Sequence, residues 1–181
     1  MNQTAIIKIL STWDQQGRFI FTKQELGKIF QDEKSKTLTE RLIRLVKSGI
    51  LENPCRNIYL YALTQNRSSY LLELMAMALR KGSYNYLSLE SALSEYGVIS
   101  QIPIDRITIM TTGRSALYQT PYGTIELTHT DRSTADILES TVMIENRPLR
   151  IAKKLTAWRD LKRVGRNTHL VDQSELNDEN P

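Results

Sequence analysis

Apolar and polar positions alternate along the chain with two periods, and the changes between them mark out elements. Ala5, Ile6, Ile9, Leu10 and Trp13 recur at helical spacing, and Gly17 is placed to stop that helix. Phe19-Ile20-Phe21 is long enough only for a brief strand. Thr22 opens Thr22-Lys23-Gln24-Glu25, a capping box in which the hydroxyl meets a free N–H and Glu25 reaches back to another. The helix behind it carries Leu26, Ile29 and Phe30 on one side. A polar turn, QDEKS, leads to a third helix from Lys36 to Gly49, with Thr37 and Glu40 as a second capping box. There Leu38, Leu42, Leu45 and Val46 fall at i, i+4, i+7 and i+8, an apolar stripe. Lys36, Thr37, Glu40, Arg44 and Lys47 lie opposite that stripe, with Arg41 at its edge. Past Gly49 the period changes. Ile50-Leu51 is apolar, Glu52 to Asn57 is a turn with Pro54, and Ile58 to Ala62 is a strand, which together make a hairpin with a polar tip.

Three helices followed by a two-stranded hairpin is the winged helix-turn-helix order. In such proteins the second helix of the motif enters the major groove. Thr37, Glu40, Arg41 and Arg44 are then the residues expected at base edges, because Arg bonds guanine in a bidentate way and Glu accepts from cytosine. Lys36, Lys47 and Arg56 in the hairpin are expected at phosphates. The same pattern also suits an ordinary amphipathic helix with Lys36–Glu40 and Glu40–Arg44 pairs. Winged helices also serve as protein-contact modules, so fold alone does not assign function.

After the polar linker Gln65–Ser69, a mostly apolar helix is expected from Ser69 to about Lys81. Ser88 is expected to cap the helix LESALSEYG, which stops at Gly97. The period then becomes two. Ile107 to Thr112, Leu117 to Thr120 and Thr124 to His129 read as strands joined by turns at Gly113-Arg114-Ser115 and Pro121-Tyr122-Gly123. Val142-Met143-Ile144 is a further candidate strand. A helix from Ala152 to Val164 closes the domain, with Leu155, Trp158 and Leu161 expected in the core and Arg159, Lys162, Arg163 and Arg166 as a basic stripe. The expected architecture is α+β: a winged helix-turn-helix over residues 1–66, an α+β domain with antiparallel hairpins over 67–171, and a disordered acidic tail over 172–181.

Composition sharpens this. The chain has 181 residues, 40% of them apolar, enough for a sizeable core. No run approaches the roughly 18 apolar residues of a membrane span. The N-terminal residues show no secretory signal pattern. A single cysteine, Cys55, rules out an internal disulfide framework and fits a reducing cytoplasm. Beside Arg56 it is either a reactive thiol or an incidental small residue. The net charge of +4 is uneven: residues 1–66 carry +4, 67–145 carry −3, 146–171 carry +7 and 172–181 carry −4. Two basic regions therefore flank an acidic middle, and basic regions attract phosphate backbones.

Catalytic constellations are incomplete. A metal-dependent nuclease site needs an Asp and then Glu-x-Lys on the next strand. Asp105 and Glu126 have suitable spacing, but Thr128 stands where the Lys belongs. His129 and His169 have no Cys or His partner at metal spacing. Asp131 follows His129, but no nucleophile signature precedes them. No enzyme, cofactor or metal is expected.

Two stretches carry a resemblance. TKQELGKIF…TLTERLIRLVKSGIL…NIYLYA resembles the winged helix of AbiEi-family antitoxins of type IV (abortive infection) toxin–antitoxin systems. YLSLESALSEYGVI…ITIMTTGRSALYQTPYGTIELTH resembles the second domain of that family. LRIAKKLTAWRDL is similar to its closing helix, where a small residue and a late Asp recur, here Ala152 and Asp160; the helix is more basic than the family pattern. The resemblance implies a cytoplasmic two-domain repressor. Its first domain would bind double-stranded operator DNA of its own operon. Its second would counter a cognate nucleotidyltransferase-like toxin, with or without a stable complex between the two. The basic residues of that segment, Arg114, Arg159, Lys162, Arg163 and Arg166, are the expected antitoxicity surface, acting on the toxin or on a nucleic acid the toxin uses. The alternative is a winged-helix transcriptional regulator whose second domain binds a ligand or protein, with no toxin partner.

Overall fold

The computed structural model describes residues 2–31, 35–100 and 104–177, a mixed α+β chain that divides at Leu71/Leu72 into two compact units.

In the first unit α1 (Gln3–Gln15) is followed by β1 (Ile20–Thr22), α2 (Lys23–Phe30), α3 (Ser35–Lys47), β2 (Leu51–Cys55) and β3 (Ile58–Tyr61). The three strands form an antiparallel sheet in the order β1-β3-β2. Its core is drawn from the expected positions: Ile6 and Leu10, Phe19 and Phe21, Leu26 and Phe30, Leu38, Leu42 and Leu45, Ile58 and Leu60 are buried, whereas Ala5, Ile9, Trp13, Ile29 and Val46 are only partly so. The Thr22 capping box is complete, with Glu25 N–H donating to the hydroxyl and Thr22 N–H donating to Glu25 Oε2 at 2.8 Å. The second capping box does not form in that role. Helix α3 begins at Ser35, so Thr37 lies inside its first turn. Residues 32–34 of the expected polar turn lie outside the described residues.

The hairpin is tighter than the pattern predicts. Strand β2 runs on to Cys55, leaving Arg56-Asn57 as the turn, with Asn57 in the left-handed region at φ 67°. Pro54 sits buried at an irregularity in the β2–β3 register, where its missing N–H costs no ladder bond. The segment expected as a free linker is held down. Asp14 is buried at the end of α1, and it accepts from the Thr64 hydroxyl, from Gln65 N–H at 3.1 Å and from Asn66 Nδ2 at 2.9 Å. Burial alone would raise the Asp14 carboxyl, but these three donors outweigh it and hold it below the usual value. Arg67 pairs with Glu52. These ties place the boundary after Leu71 rather than at 66.

The second unit holds α4 (Leu71–Leu79), β4 (Asn85–Leu87), α5 (Leu89–Glu95), β5 (Arg106–Thr111), β6 (Ala116–Thr120), β7 (Gly123–His129), α6 (Thr134–Ser140), β8 (Thr141–Val142), β9 (Arg150–Ala152), α7 (Lys154–Val164) and α8 (Gln173–Leu176). One six-stranded sheet runs β6-β7-β5-β4-β9-β8. The expected β6–β7 hairpin is present and antiparallel, but β5 pairs β7 in parallel and β4 pairs β9 in parallel. Strand β9 and helix α6 lie outside the pattern read from the sequence, and β8 stops at Val142.

Three expectations fail because partners distant in the sequence intervene. Ser88 occupies the cap position of α5, but its hydroxyl donates to Asp160 Oδ2 at 2.8 Å instead. Thr108 of β5 supplies the cap from outside the helix, its Oγ1 accepting from Ser91 N–H at 3.0 Å. On α7 the buried residues are Thr156, Ala157, Asp160 and Leu161, whereas Leu155 is 53% exposed and Trp158 half-buried. The buried face is rotated because a charged residue, Asp160, is drawn inward by partners. The tail is ordered as far as it is described. Leu176 is buried, Val171 bridges Ile99, and Lys154 Nζ donates to Glu175 O at 3.0 Å, while residues 178–181 lie outside the described residues.

Candidate nucleic-acid interface

Helix α3 is built so that one side is fixed and the other is free. Leu38, Leu42 and Leu45 anchor it in the core. Lys23 Nζ donates to Thr39 Oγ1 at 2.8 Å, tying the start of α2 to the first half of α3. The opposite side carries Lys36, Thr37, Glu40, Arg44 and Lys47, all exposed. Arg44 bends back weakly toward Glu40 O at 3.4 Å. Arg41 departs from the expectation: it is half-buried, and its guanidinium lies over the Phe30 ring of α2, 5.7 Å from the centroid. It stands toward α2 because it follows Glu40 by 100°, back toward the apolar stripe. Ile43, by contrast, is 50% exposed among the polar residues. A reading centred on charge passes over it, yet its signal is in the sequence, since an isoleucine seven residues from Lys36 falls on the polar face. An apolar side chain there suits contact with a thymine methyl. Arg56, in the β2–β3 turn, is exposed. Cys55 is half-buried, and burial pushes its thiol up, away from the reactive thiolate.

The second unit has its own basic surface, smaller than the sequence suggests. Arg159, Lys162 and Arg163 are exposed on α7, and Lys162 Nζ lies 5.2 Å from the centre of the Trp158 ring. Arg114 is exposed on the β5–β6 turn. Arg166 does not join them. The helix ends at Gly165, in the left-handed conformation at φ 77°. Past that break Arg166 turns in to pair with Glu90 at 2.8 Å and with Glu126. Burial would raise the Glu90 carboxyl, but Arg166 and Asn167 outweigh it and keep it low.

Of the residues considered for chemistry, Glu126 and His129 are engaged in structural pairing. Glu126 is buried between Arg106, at 3.0 Å, and Arg166. Asp105 is exposed, and its main-chain oxygen accepts from Thr124 N–H at 2.6 Å. His169 is exposed. His129 is bracketed by Gly113 O, 2.8 Å from Nδ1, and Asp131 Oδ1, 2.9 Å from Nε2. Among the described residues no group of three or more His, Cys, Asp and Glu is placed to hold a metal ion, and no helix is long and apolar enough to cross a membrane.

The deepest charges are structural. Asp160, 1% exposed, accepts from Tyr86 OH at 3.1 Å, Ser88 Oγ at 2.8 Å and Arg132 Nη2 at 3.0 Å, so it joins β4, the start of α5 and the segment before α6. Burial, then the Asp160 charge, drive the Tyr86 hydroxyl far above its ordinary range. Arg147, buried, is held between Glu73 at 2.5 Å and Glu95 at 2.7 Å.

No family model matches the chain, and no curated protein matches it. Among solved structures it is similar to the crystal structure of the RV2827C protein from Mycobacterium tuberculosis, with 16% identity and a TM-score of 0.45. The similarity covers 71% of this chain and 45% of that one, so the chain spans less than half of that protein's length.

Proposed function

We propose that this chain is an antitoxin of the AbiEi kind that binds operator DNA, represses its own operon and counters a nucleotidyltransferase-like toxin. The observation that carries the DNA-binding half is the division of α3. Leu38, Leu42 and Leu45 are buried, while Lys36, Thr37, Glu40, Arg44 and Lys47 are exposed and lie on the opposite side. We read the first unit as a winged helix, with α3 as the groove helix and the β2–β3 hairpin as the wing. Arg44 and Glu40 then face base edges, and Lys36, Lys47 and Arg56 meet phosphates. Arg41 packs on Phe30 and supports the helix from behind.

The antitoxin half rests on the resemblance of the 86–129 and 149–161 stretches to the AbiEi second domain. The exposed cations Arg114, Arg159, Lys162 and Arg163 support it as the surface that acts against the toxin. Co-expression of the full chain with the nucleotidyltransferase-like gene of its own operon tests this half. Growth restored by the wild-type chain is the expected outcome, and a toxin that still arrests growth refutes it.

A further inference from the structure

We infer that the second unit carries a binding face for single-stranded nucleic acid, made by Trp158, Arg159, Lys162 and Arg163 on α7 and by Arg114 on the β5–β6 turn. This names what the basic surface of the proposed antitoxin holds, but the binding itself requires neither a toxin nor an operator.

The outer side of α7 holds three cations within five residues, Arg159, Lys162 and Arg163. The one carboxylate on that helix, Asp160, is buried and already paired with Arg132, so it does not neutralise them. An aromatic plane lies among them. Trp158 is half-buried, with the Lys162 ammonium 5.2 Å from its ring centre. A ring beside cations matches the two parts of an unpaired nucleotide, a base to stack and a phosphate to neutralise. An acidic peptide would use the cations and leave the ring without a role. A duplex keeps its base faces stacked inside, so the ring selects an unpaired strand.

The β5–β6 turn adds to the face through His129. Its Nδ1 lies 2.8 Å from Gly113 O and its Nε2 2.9 Å from Asp131 Oδ1. A carbonyl and a carboxylate only accept, so the ring donates to both only as the imidazolium, the form these two acceptors favour. The groups facing the ring are the Gly113 carbonyl, Asp131 and Arg163. The hydrogen bonds to Gly113 and Asp131 favour the proton, and the Arg163 charge opposes it. A protonated His129 thus adds charge to the face and holds the turn that presents Arg114.

The test uses the full chain with Trp13→Phe, which leaves Trp158 as the reporter because the chain has 2 tryptophans. Oligouridylate of about 12 nucleotides, a length within the site sizes of single-strand binders, should quench the Trp158 emission saturably. Changing Arg159, Lys162 and Arg163 together to Ala should weaken binding roughly tenfold or more at moderate salt. It should also reduce the log–log salt slope by about 2, at about 0.7 for each phosphate that no longer meets a cation. All three side chains are exposed, so an unchanged circular dichroism melt accompanies the weaker binding. Binding should strengthen from about pH 8 to about pH 6, and His129→Gln should flatten that dependence. An absent quench, an unchanged affinity in the triple variant, or displacement of the RNA by polyglutamate as effective as by more RNA would each overturn the inference. An unaltered pH dependence in His129→Gln removes His129 from the face. An Arg44→Ala, Lys47→Ala variant that keeps the quench while losing operator DNA separates this inference from the operator reading.

Discussion

Replacing Asp160 with Ala removes the carboxylate on which three elements of the second unit converge. It takes away the Arg132 pairing at 3.0 Å and leaves Ser88 Oγ, fully buried, without its acceptor, while Tyr86 OH loses Asp160 but keeps its hydrogen bond with Thr130. Breaking a buried ion pair from one side costs about 3–5 kcal/mol, and each buried donor left unmatched costs about 1–3 kcal/mol. Arg132 keeps Asp136 at 2.9 Å and is 16% exposed, which offsets part of the loss. The expected destabilisation is therefore about 3 kcal/mol, at the low end of the range for a broken buried pair. With a urea slope of about 2 kcal/mol/M, the midpoint should fall by about 1.5 M. Trp158 emission in a Trp13→Phe background follows the second unit alone. A cycle with Arg132→Ala should show the two substitutions coupled by about 1 kcal/mol or more. A loss below about 1 kcal/mol, or strict additivity, would refute the structural role given to this network. Arg159→Ala, one residue away but exposed, should change stability by no more than about 0.5 kcal/mol.

Two further outcomes follow from local geometry. Thr22→Ala removes the hydroxyl that caps α2 and should cost about 1 kcal/mol in thermal or urea unfolding; an unchanged melt contradicts the capping geometry. His129 should titrate above the ordinary 6.5, because Gly113 O and Asp131 favour its proton. Its contribution to stability is therefore present below the unfolded value and is lost as pH rises through the raised folded value. Asp131→Asn should bring an NMR titration of His129 down, and an unmoved or rising midpoint would contradict the bracketed ring.

The first unit is largely legible in the sequence because its signals are local. The Thr22 box, the Leu38-Leu42-Leu45 stripe and the Ile58–Tyr61 strand all depend on residues close together in the chain. What pattern misplaces there turns on longer reach: Arg41 finds Phe30, and Asp14 captures residues 64–66 across about fifty positions. The second unit hides more. Strand β9 is three residues long and gains its place only by pairing with β4 from far away in sequence. It also precedes α7 with Lys153 at the cap position, which gives no capping signal. Helix α6 carries one, Ser133 accepting from Asp136 N–H, but it buries only Ile137 and so shows little periodicity. The basic stripe looks four residues long only when helical spacing is extended past Gly165, where the helix stops and Arg166 turns toward Glu90 and Glu126. Asp160 cannot be read as buried from sequence, since its partners Tyr86, Ser88 and Arg132 are 74, 72 and 28 residues away.

The central claim is that the exposed side of α3 reads DNA sequence, and a gel-shift titration against the promoter of the chain's own operon tests it most directly. The full chain should bind that duplex in preference to a scrambled one of equal length. Arg44→Ala should cost about 1–3 kcal/mol on the promoter and narrow the preference, while Lys47→Ala should weaken both duplexes alike and lower the salt slope by about 1. Promoter and scrambled duplex bound equally by the wild-type chain, or full promoter affinity in a folded Arg44→Ala, Lys47→Ala variant, would contradict it.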